Sequence, residues 1–567
     1  MHESLPATDK GNSAPARRRF TWISLALFVA LALLHTWPLI LAPSTFSRND
    51  NADTVLHQWI LAWLAHQVVQ DPLSLFDANI FYPDRLTLAY SDHLFIPGIF
   101  VAPLLWAGAS PVLAYNLLLI AGFALTGWTM CSVIYRWTGS QLAGVISGSL
   151  AAFNAFTLTR FPQIQDQHLE FLPLALWGLD RLLQRPSLRR ALSLSGWFVL
   201  QSLTTVYWLL FTTVAMVVAT AVRPRDWLIP GRRTLVIYAV LAGLVAGGLL
   251  FPFLLPYWIV SREQGLVRTL EEIAFHSATM HNYLATGSRL HFSTWSEPFY
   301  TVVGDPLFPG GIALLLVATA VGSGVALRDP RARMALGFGI VAFALSFGPK
   351  LPGYALLYEV FPLMAGVRGV GRFGQLCLIA VAMLAGFGWS RISQAIARLP
   401  QRAFRHSVLP LGVVVVLGIH AEAVRAPMAY TPAPVVPEIW NRLPKIVGND
   451  VVLAFFPFYS GIDTNQNSRY MSYTSRAFQP MLNGYSGFYP PSFHRHTSGL
   501  RPFPDEQSLD YLRQVGVTHV IAVAHLMRPS VVAKLDTLTG LQLLYTDGNV
   551  RILRLQTGRL QAPAAGP

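Results

Sequence analysis

The stretch Ser47-Arg48-Asn49-Asp50-Asn51-Ala52-Asp53 is a polar, acidic segment between two apolar ones. An apolar segment at 20–41 precedes it, and an aromatic amphipathic segment follows it. Because desolvating a carboxylate beside hydrocarbon is unfavourable, an acidic residue at such a boundary is a functional hypothesis by default. The alternative is that Asp53 only caps the helix that begins at Thr54. Asp50 is the weaker candidate, since an Asp in a loop often forms a turn.

The composition is that of a polytopic membrane protein. Of the 567 residues, 53% are hydrophobic and 12% are charged, whereas soluble proteins average about 25% charged residues. The net charge of +14 does not indicate a nucleic-acid partner, because short basic runs between apolar segments are typical of the positive-inside pattern. Cys131 and Cys377 fall inside apolar segments and are interpreted as packing residues. The basic runs lie at 17–19, 185–190, 223–233, 328–333 and 391–405.

Composition also predicts the domain boundaries. Residues 1–19 are predicted to be a disordered cytoplasmic tail. Residues 20–425 are predicted to form an all-α membrane domain of about eleven transmembrane helices. Residues 426–567 are more polar and alternate strand and helix patterns, including a hairpin expected around Asp547-Gly548, which predicts a small α/β soluble domain on the outer face. Outer loops are expected at 43–111, 159–168 and 261–308.

The positive-inside rule, which places each basic run on the cytoplasmic side, determines which apolar segments cross the membrane. The aromatic helix at 55–69 is expected to lie flat at the membrane interface. The apolar segment at 94–106 is too short to cross and contains prolines, so it is predicted to be interfacial or re-entrant. Crossings are then expected at 112–135, 142–158 and 169–183, and every basic run lies inside, provided that 191–221 forms a hairpin of two short helices broken near Thr204-Thr205.

Polar side chains that are unusual beside a membrane domain gather in three outer loops and at the start of a later span. Two carboxylates on separate loops can have different roles. One can act as the general base on a hydroxyl, and the other can position that hydroxyl or bind a divalent cation. Catalytic candidates are Asp53, Asp50 and Asp166. Arg and His side chains suit phosphate oxygens. The candidates for substrate binding are Asp92, His93, His168, Arg262, Arg268, His276, His281, Arg368 and Arg372.

Simpler interpretations of some of these residues remain open. Asp166 lies near the start of a predicted helix, where the macrodipole favours an acid. Arg368 and Arg372 also fit snorkelling to lipid headgroups. The segment Leu482–Pro491 is rich in Gly, Tyr and Pro, and it either binds sugar rings or acyl chains through aromatic faces or docks the C-terminal domain on the membrane domain.

With these motifs the chain resembles the integral-membrane glycosyltransferases of the C superfamily, such as protein mannosyltransferases and aminoarabinose transferases. The resemblance is best over 20–233, where a first helix leads to an outer loop opening with Asp50-Asn51-Ala52-Asp53 and a second acidic residue, Asp166, follows in the next outer loop. It implies that Asp53, or else Asp50, is the catalytic base. The adjacent Asp-Glu pair of the commonest pattern is absent, which leaves the base open between these two. The C-terminal region is similar to that of uncharacterised bacterial members.

The resemblance further implies an inverting hexosyl- or pentosyltransferase that uses a polyprenyl-phosphate-linked sugar at the outer face of the bacterial cytoplasmic membrane. The N-terminus is expected inside and the C-terminal domain outside. Expected partners are an envelope glycan, lipid or protein acceptor and membrane lipids, and the cofactor considered is a divalent cation, Mg or Mn, on Asp53 and Asp166. The alternative function is a polytopic transporter or lipid-handling protein. Transporters usually carry internal repeats and mid-membrane charges, and neither is found in this sequence.

Overall fold

The computed structural model describes residues 14–556, apart from 229–231, 302–303, 362–363, 365, 401–405 and 434–436. Most of the predicted tail therefore lies outside the described residues. The first helix begins at Ala14, inside the predicted tail, rather than near Phe20. The described chain is mainly helical and has a small sheet near its C-terminal end.

Up to residue 425 the structure consists of helices joined by ordered loops. Several of these helices begin at a polar N-cap, as at Asn51, Ser110 and Asp329, whose side chains accept backbone N–H groups of the first turn. In chain order the helices are α1 (Ala14–His35), α2 (Ala52–Gln70), α3 (Phe95–Trp106), α4 (Pro111–Thr138), α5 (Gln141–Ala152), α6 (Phe171–Gln184), α7 (Leu188–Ser202), α8 (Val206–Ala221), α9 (Pro224–Trp227), α10 (Arg233–Glu263), α11 (Leu270–Phe275), α12 (Arg289–His291), α13 (Gly311–Gly322), α14 (Val325–Arg328), α15 (Pro330–Ser346), α16 (Tyr354–Val360), α17 (Phe373–Ala397) and α18 (Val408–Ala423).

Four of the described helices, α1, α4, α10 and α17, are long and apolar enough to cross a membrane. The apolar helices α3, α5, α8, α13 and α18 are shorter, with 10–17 residues. At about 1.5 Å per residue they fall short of a hydrocarbon core of roughly 30 Å. The helical membrane domain is thus consistent with the prediction, while the number of about eleven crossings stays a prediction.

The predicted hairpin at 191–221 is present as two helices. Helix α7 ends at Ser202 and α8 begins at Val206, so the break falls at the predicted Thr204-Thr205. Thr205 is the N-cap of α8, and its hydroxyl accepts the N–H of Tyr207. The apolar segment at 94–106 likewise forms only the short helix α3, which is 12 residues long.

The aromatic side chains of helix α2 are buried against protein. Trp59 and Trp63 are buried, and the Trp63 ring packs edge-on against Phe478 at a centroid distance of 5.3 Å. The helix contacts α3 and α4 on one side and the helix at 467–474 on the other. Packing against protein therefore removes these aromatic side chains from water, and the expectation that α2 lies flat at the membrane interface stays a prediction.

The predicted crossing from Leu142 to Leu158 is also shorter than expected. Helix α5 ends at Ala152, where Asn154 and Thr157 exchange side-chain hydrogen bonds with each other's backbone N–H groups. Such local bonds compete with the helical ladder and end it. The chain from there to the start of α6 is a largely buried loop that carries Asp166.

The region after residue 437 contains a mixed four-stranded sheet flanked by helices. Strands β3 (Leu453–Phe456) and β4 (His519–Val523) are parallel, with Phe455 opposite Ile521. The remaining pairs, formed with β5 (Leu541–Thr546) and β6 (Val550–Leu555), are antiparallel, and the strand order is β3-β4-β6-β5. Asp547-Gly548 forms the turn between β5 and β6, as predicted. Further helices are α19 (Glu438–Val447), α20 (Asn467–Thr474), α21 (Pro491–Gly499), α22 (Glu506–Val515) and α23 (Pro529–Leu535). The strands are β3 (Leu453–Phe456), β4 (His519–Val523), β5 (Leu541–Thr546) and β6 (Val550–Leu555), preceded by a two-stranded pair, β1 (Phe46–Ser47) and β2 (Thr431–Pro432).

This C-terminal unit, residues 437–556, packs directly on the helical domain. One buried apolar cluster contains residues of both parts, including Trp59 and Leu64 of α2 and Trp440 and Phe493 of the C-terminal unit. The β1–β2 pair adds backbone contact, with Phe46 opposite Pro432. The loops before α3 and the C-terminal unit are therefore held together above the helices.

Candidate active site

A cavity of about 460 Å³ lies where α2, the 89–92 and 163–165 loops, α8, the start of α17 and the C-terminal unit meet. Both helical-domain and C-terminal residues line it, and it combines carboxylates, guanidinium groups and aromatic rings. Its lining includes Asp53, His57, Asp92, Gln163, Gln165, Tyr207, Tyr257, Arg268, Arg368, Arg372, Tyr485, Phe488 and Tyr489.

Asp53 lies in the first turn of α2 and directs its carboxylate into this cavity. The N-cap of α2 is Asn51, whose Oδ1 accepts the N–H of Asp53 at 2.9 Å, so Asp53 is not the cap. Its Oδ1 accepts the Tyr485 hydroxyl at 2.7 Å, and its Oδ2 accepts Gln163 Nε2 at 2.5 Å. Burial raises the pKa of Asp53, but the charge that His57 carries when protonated in acid and these hydrogen bonds outweigh burial and leave the pKa below its ordinary value. The carboxylate is therefore ionised at neutral pH.

His57 lies one helical turn after Asp53 and lines the same cavity. Its Nδ1 is 2.9 Å from the carbonyl oxygen of Pro162, and because a carbonyl only accepts, Nδ1 carries the proton. Burial lowers the pKa of His57, so its imidazole is neutral at neutral pH.

Asp92 forms a second carboxylate of the cavity, on the side of α8. Its Oδ1 accepts the Thr205 hydroxyl at 2.6 Å and the N–H of Val206 at 3.2 Å, and its Oδ2 accepts Gln165 Nε2 at 3.0 Å. Burial raises the pKa of Asp92, although the hydrogen bond from Thr205 opposes the shift. Asp92 thus fixes the break between α7 and α8 to the loop that carries Gln165.

Three arginines, Arg268, Arg368 and Arg372, also line the cavity. Arg268 is occupied by protein partners, since it donates to Glu272 at 3.0 Å and to the Gly487 carbonyl at 2.6 Å. Arg372 stacks over the Tyr207 ring, with 4.5 Å from its Cζ to the ring centroid. In the part of the chain that the structure describes, neither Arg368 nor Arg372 has a carboxylate within ion-pair distance. Two guanidinium groups are therefore available to an anion that enters the cavity.

The other catalytic candidates lie outside the lining of this cavity. Asp50 is exposed and pairs with Arg48 through two hydrogen bonds of 3.1 and 3.0 Å. Asp166 is 2% exposed and pairs with Arg160 at 2.9 Å, while the same guanidinium binds Asp305. The loop of Asp166 reaches the cavity through Gln163 and Gln165 instead.

The remaining predicted binding residues also have other surroundings. His93 is buried and lies 3.1 Å from the Tyr257 hydroxyl, and His168 pairs with Glu170 at 3.0 Å. Arg262 stacks over Trp258, with 5.8 Å from its Cζ to the ring centroid. The backbone carbonyl of His276 accepts the N–H of Gly371, and the ring of His281 contacts Phe299.

The residues present do not by themselves fit a divalent cation on Asp53 and Asp166. Each of these carboxylates is hydrogen bonded to other side chains, and Asp166 already faces the positive charge of Arg160. Among the described residues, no group of three or more His, Cys, Asp and Glu side chains comes together to hold a metal ion. We therefore derive no step through a metal.

Sequence reasoning did not single out His57, Arg160 or Tyr485 as site residues. His57 follows Asp53 by four residues, a spacing that places two side chains on one helical face and is readable from sequence. Tyr485 falls in the aromatic segment Leu482–Pro491, but no sequence pattern joins it to Asp53.

An ionised carboxylate and available guanidinium groups in one cavity, above a domain of apolar helices, define a candidate active site of a membrane protein. No family model and no curated protein matches the sequence. Among solved structures, arabinofuranosyltransferase AftD from mycobacteria matches with TM-score 0.62 and 15% identity, over 95% of this chain and 40% of that one. The oligosaccharyltransferase of Archaeoglobus fulgidus in the apo form matches with TM-score 0.51 and 11% identity, over 90% and 70%. ArnT from Cupriavidus metallidurans has TM-score 0.47 and 16% identity, over 95% and 98%.

The likenesses to arabinofuranosyltransferase AftD and to the archaeal oligosaccharyltransferase show that this chain shares their fold, and they confirm at the level of fold the resemblance inferred from the sequence. This chain spans 40% of the length of AftD. At these identities the likeness concerns the fold and not the substrate.

Proposed function

We propose that this protein is a membrane glycosyltransferase that moves a sugar from a polyprenyl-phosphate donor to an acceptor hydroxyl at the outer face of the membrane. The observation that carries the proposal is that ionised Asp53 shares one cavity with Arg368 and Arg372, neither of which has a carboxylate within ion-pair distance among the described residues. The fold, which is that of C-superfamily glycosyltransferases, supports it.

In the proposed reaction, the Asp53 carboxylate accepts the proton of the acceptor hydroxyl. The acceptor oxygen attacks the anomeric carbon of the sugar as the bond from that carbon to the phosphate oxygen breaks. The phosphate leaves on its polyprenyl chain with the bonding electrons, and the anomeric configuration inverts. Arg368 and Arg372 stabilise the charge that develops on the departing phosphate, which is where electrostatic catalysis contributes most.

A comparison of Asp53→Asn with Asp50→Asn tests the proposal. The experiment incubates purified protein in liposomes with a panel of polyprenyl-phosphate-linked hexoses and pentoses, together with a bacterial envelope fraction that supplies glycan, lipid and protein hydroxyls as acceptors, and measures release of polyprenyl phosphate. Asp53→Asn should lose about a hundredfold to ten-thousandfold in rate, because loss of a general base has an effect of that order. Asp50→Asn should retain wild-type activity, because Asp50 lies outside the cavity.

Size-exclusion chromatography in detergent provides the control for folding of both variants. A monodisperse Asp53→Asn protein with wild-type transfer rates would remove Asp53 as the base. Failure of the wild type to release polyprenyl phosphate from any donor of the panel would count against the transferase itself.

A further inference from the structure

The segment Tyr485–Tyr489 of the C-terminal unit forms one wall of the cavity. Tyr485, Ser486, Gly487, Phe488 and Tyr489 all line it. The Tyr485 hydroxyl donates a hydrogen bond to Asp53, which lies 432 residues earlier in the sequence. The Gly487 carbonyl accepts a hydrogen bond from Arg268 of the helical domain. The C-terminal unit therefore contributes directly to the surroundings of the candidate base.

Several contacts hold this segment in place from two directions. Within the C-terminal unit, Asn483 bonds both the N–H and the carbonyl of Phe455 in β3, at 2.8 and 3.1 Å. Toward the helical domain, the N–H groups of Phe81 and Tyr82 donate to the carbonyls of Asn483 and Met481. The position of the residues that follow is thus set by backbone hydrogen bonds on both sides.

Two glycines allow the segment to approach the outer loop this closely. A Cβ on Gly484 would lie 2.6 Å from the Phe81 ring, and a Cβ on Gly487 would lie 2.9 Å from the Tyr90 carbonyl oxygen. Distances that short are not compatible with any larger residue unless the outer loop moves. Close packing here places the Tyr485 hydroxyl at hydrogen-bond distance from Asp53.

We propose that Tyr485 is a positioning residue for the transfer reaction, supplied by the C-terminal unit, which orients the Asp53 carboxylate toward the acceptor hydroxyl. This inference rests on the proposed function of Asp53. With Tyr485 on Oδ1 and Gln163 on Oδ2, the carboxylate has one fixed donor on each oxygen. A carboxylate has about four lone-pair sites, so an acceptor hydroxyl still finds a vacant one.

The electrostatics agree with this geometry. Burial beside the charge of Asp53 raises the pKa of Tyr485, so the phenol stays protonated and remains a donor. A hydrogen bond donated to an ionised carboxylate stabilises the ionised form and lowers the pKa of that carboxyl group. The hydrogen bond from Tyr485 is one cause of the lowered pKa of Asp53. Loss of the phenol oxygen should therefore raise the pKa of Asp53 and loosen its orientation.

The test compares Tyr485→Phe with Tyr473→Phe, which removes a phenol oxygen from the same unit outside the cavity lining. The first readout is the pH profile of transfer from a polyprenyl-phosphate-linked sugar. The second is independent of activity: the pH at which Asp53 is half labelled by a carbodiimide and an amine, measured by peptide mass spectrometry.

For Tyr485→Phe we expect the acid limb and the labelling midpoint to move up by about one pH unit, and kcat to fall about tenfold with the donor KM unchanged. Tyr473→Phe should match the wild type in all of these. Difluorotyrosine at position 485, a stronger donor that keeps the ring, should move the labelling midpoint down. The difluorotyrosine variant also tests the inference if Tyr485→Phe does not fold.

A labelling midpoint unchanged by both substitutions would overturn the inference. So would a Tyr485→Phe enzyme whose acid limb and kcat equal those of the wild type. If the wild type transfers no sugar while the labelling midpoint still shifts, the contact between Tyr485 and Asp53 is established and only the proposed function fails.

Discussion

Asp50 and Asp53 lie three residues apart and have different surroundings. The side chain of Asp50 is 44% exposed and pairs with Arg48 at the surface. Asp53 is already inside α2, where the helical turn directs it to the cavity and to Tyr485. Sequence reasoning identified both acids and ranked Asp53 above Asp50, but it left the base open between them, because the choice depends on where α2 begins and what covers it.

Arg372 is expected to bind the phosphate of the donor. Arg372→Gln removes a cation that lines the cavity and has no carboxylate partner among the described residues, and it should reduce kcat/KM about tenfold to a hundredfold, the usual effect of losing a hydrogen bond to a charged group. The measurement is release of polyprenyl phosphate as a function of donor concentration.

Arg262→Gln is the matched control for Arg372→Gln. Arg262 was also predicted from sequence to bind substrate, but it stacks on Trp258 away from the cavity lining. Its loss should leave kcat/KM unchanged. Equal losses in the two variants would contradict the assignment of the phosphate to Arg372.

At the scale of elements, the break between α7 and α8 is where local sequence and long-range contact agree. The positive-inside rule predicted a hairpin broken at Thr204-Thr205, and in the structure α7 ends just before these residues and α8 begins just after them. Only the structure reveals what stabilises the break, which is Asp92 from a distant loop accepting from Thr205 and Val206.

Asp92→Ala should lower the apparent melting temperature in detergent. It leaves the Thr205 hydroxyl, the Val206 N–H and the Gln165 amide without their acceptor, and loss of such a cap costs about 1 to 2 kcal/mol. Asp50→Ala is the control, since an exposed ion pair contributes at most about 1 kcal/mol. A melting temperature for Asp92→Ala equal to that of Asp50→Ala would show that Asp92 does not stabilise the break.

For the whole molecule, the C-terminal unit and the helical domain share one buried apolar cluster, although composition divides the chain near residue 425. Phe81, from the helical domain, is fully buried and packs against Tyr489 and Phe493 of the C-terminal unit. The joint between the two parts is therefore built like a core and carries the wall of the cavity.

Phe81→Ala should destabilise the protein by about 3 to 5 kcal/mol, as expected for loss of a buried aromatic ring. We expect a lower melting temperature, faster proteolysis between the helical domain and the C-terminal unit, and reduced transfer, because Tyr485 loses its support. Leu73→Ala is the control, at a side chain that is 96% exposed in the same outer loop. Unchanged proteolysis of Phe81→Ala would mean that the two parts are held together elsewhere.

The sequence by itself determined the local structure of this protein. Apolar periodicity and basic runs located the helices, the break at Thr204-Thr205 and the hairpin at Asp547-Gly548, because these depend on side chains a few residues apart. The burial of α2 and the bond between Tyr485 and Asp53 were decided only by the tertiary structure. An amphipathic stripe loses water equally well against lipid or protein, and a hydrogen bond across 432 residues depends on packing between distant segments that no local pattern records.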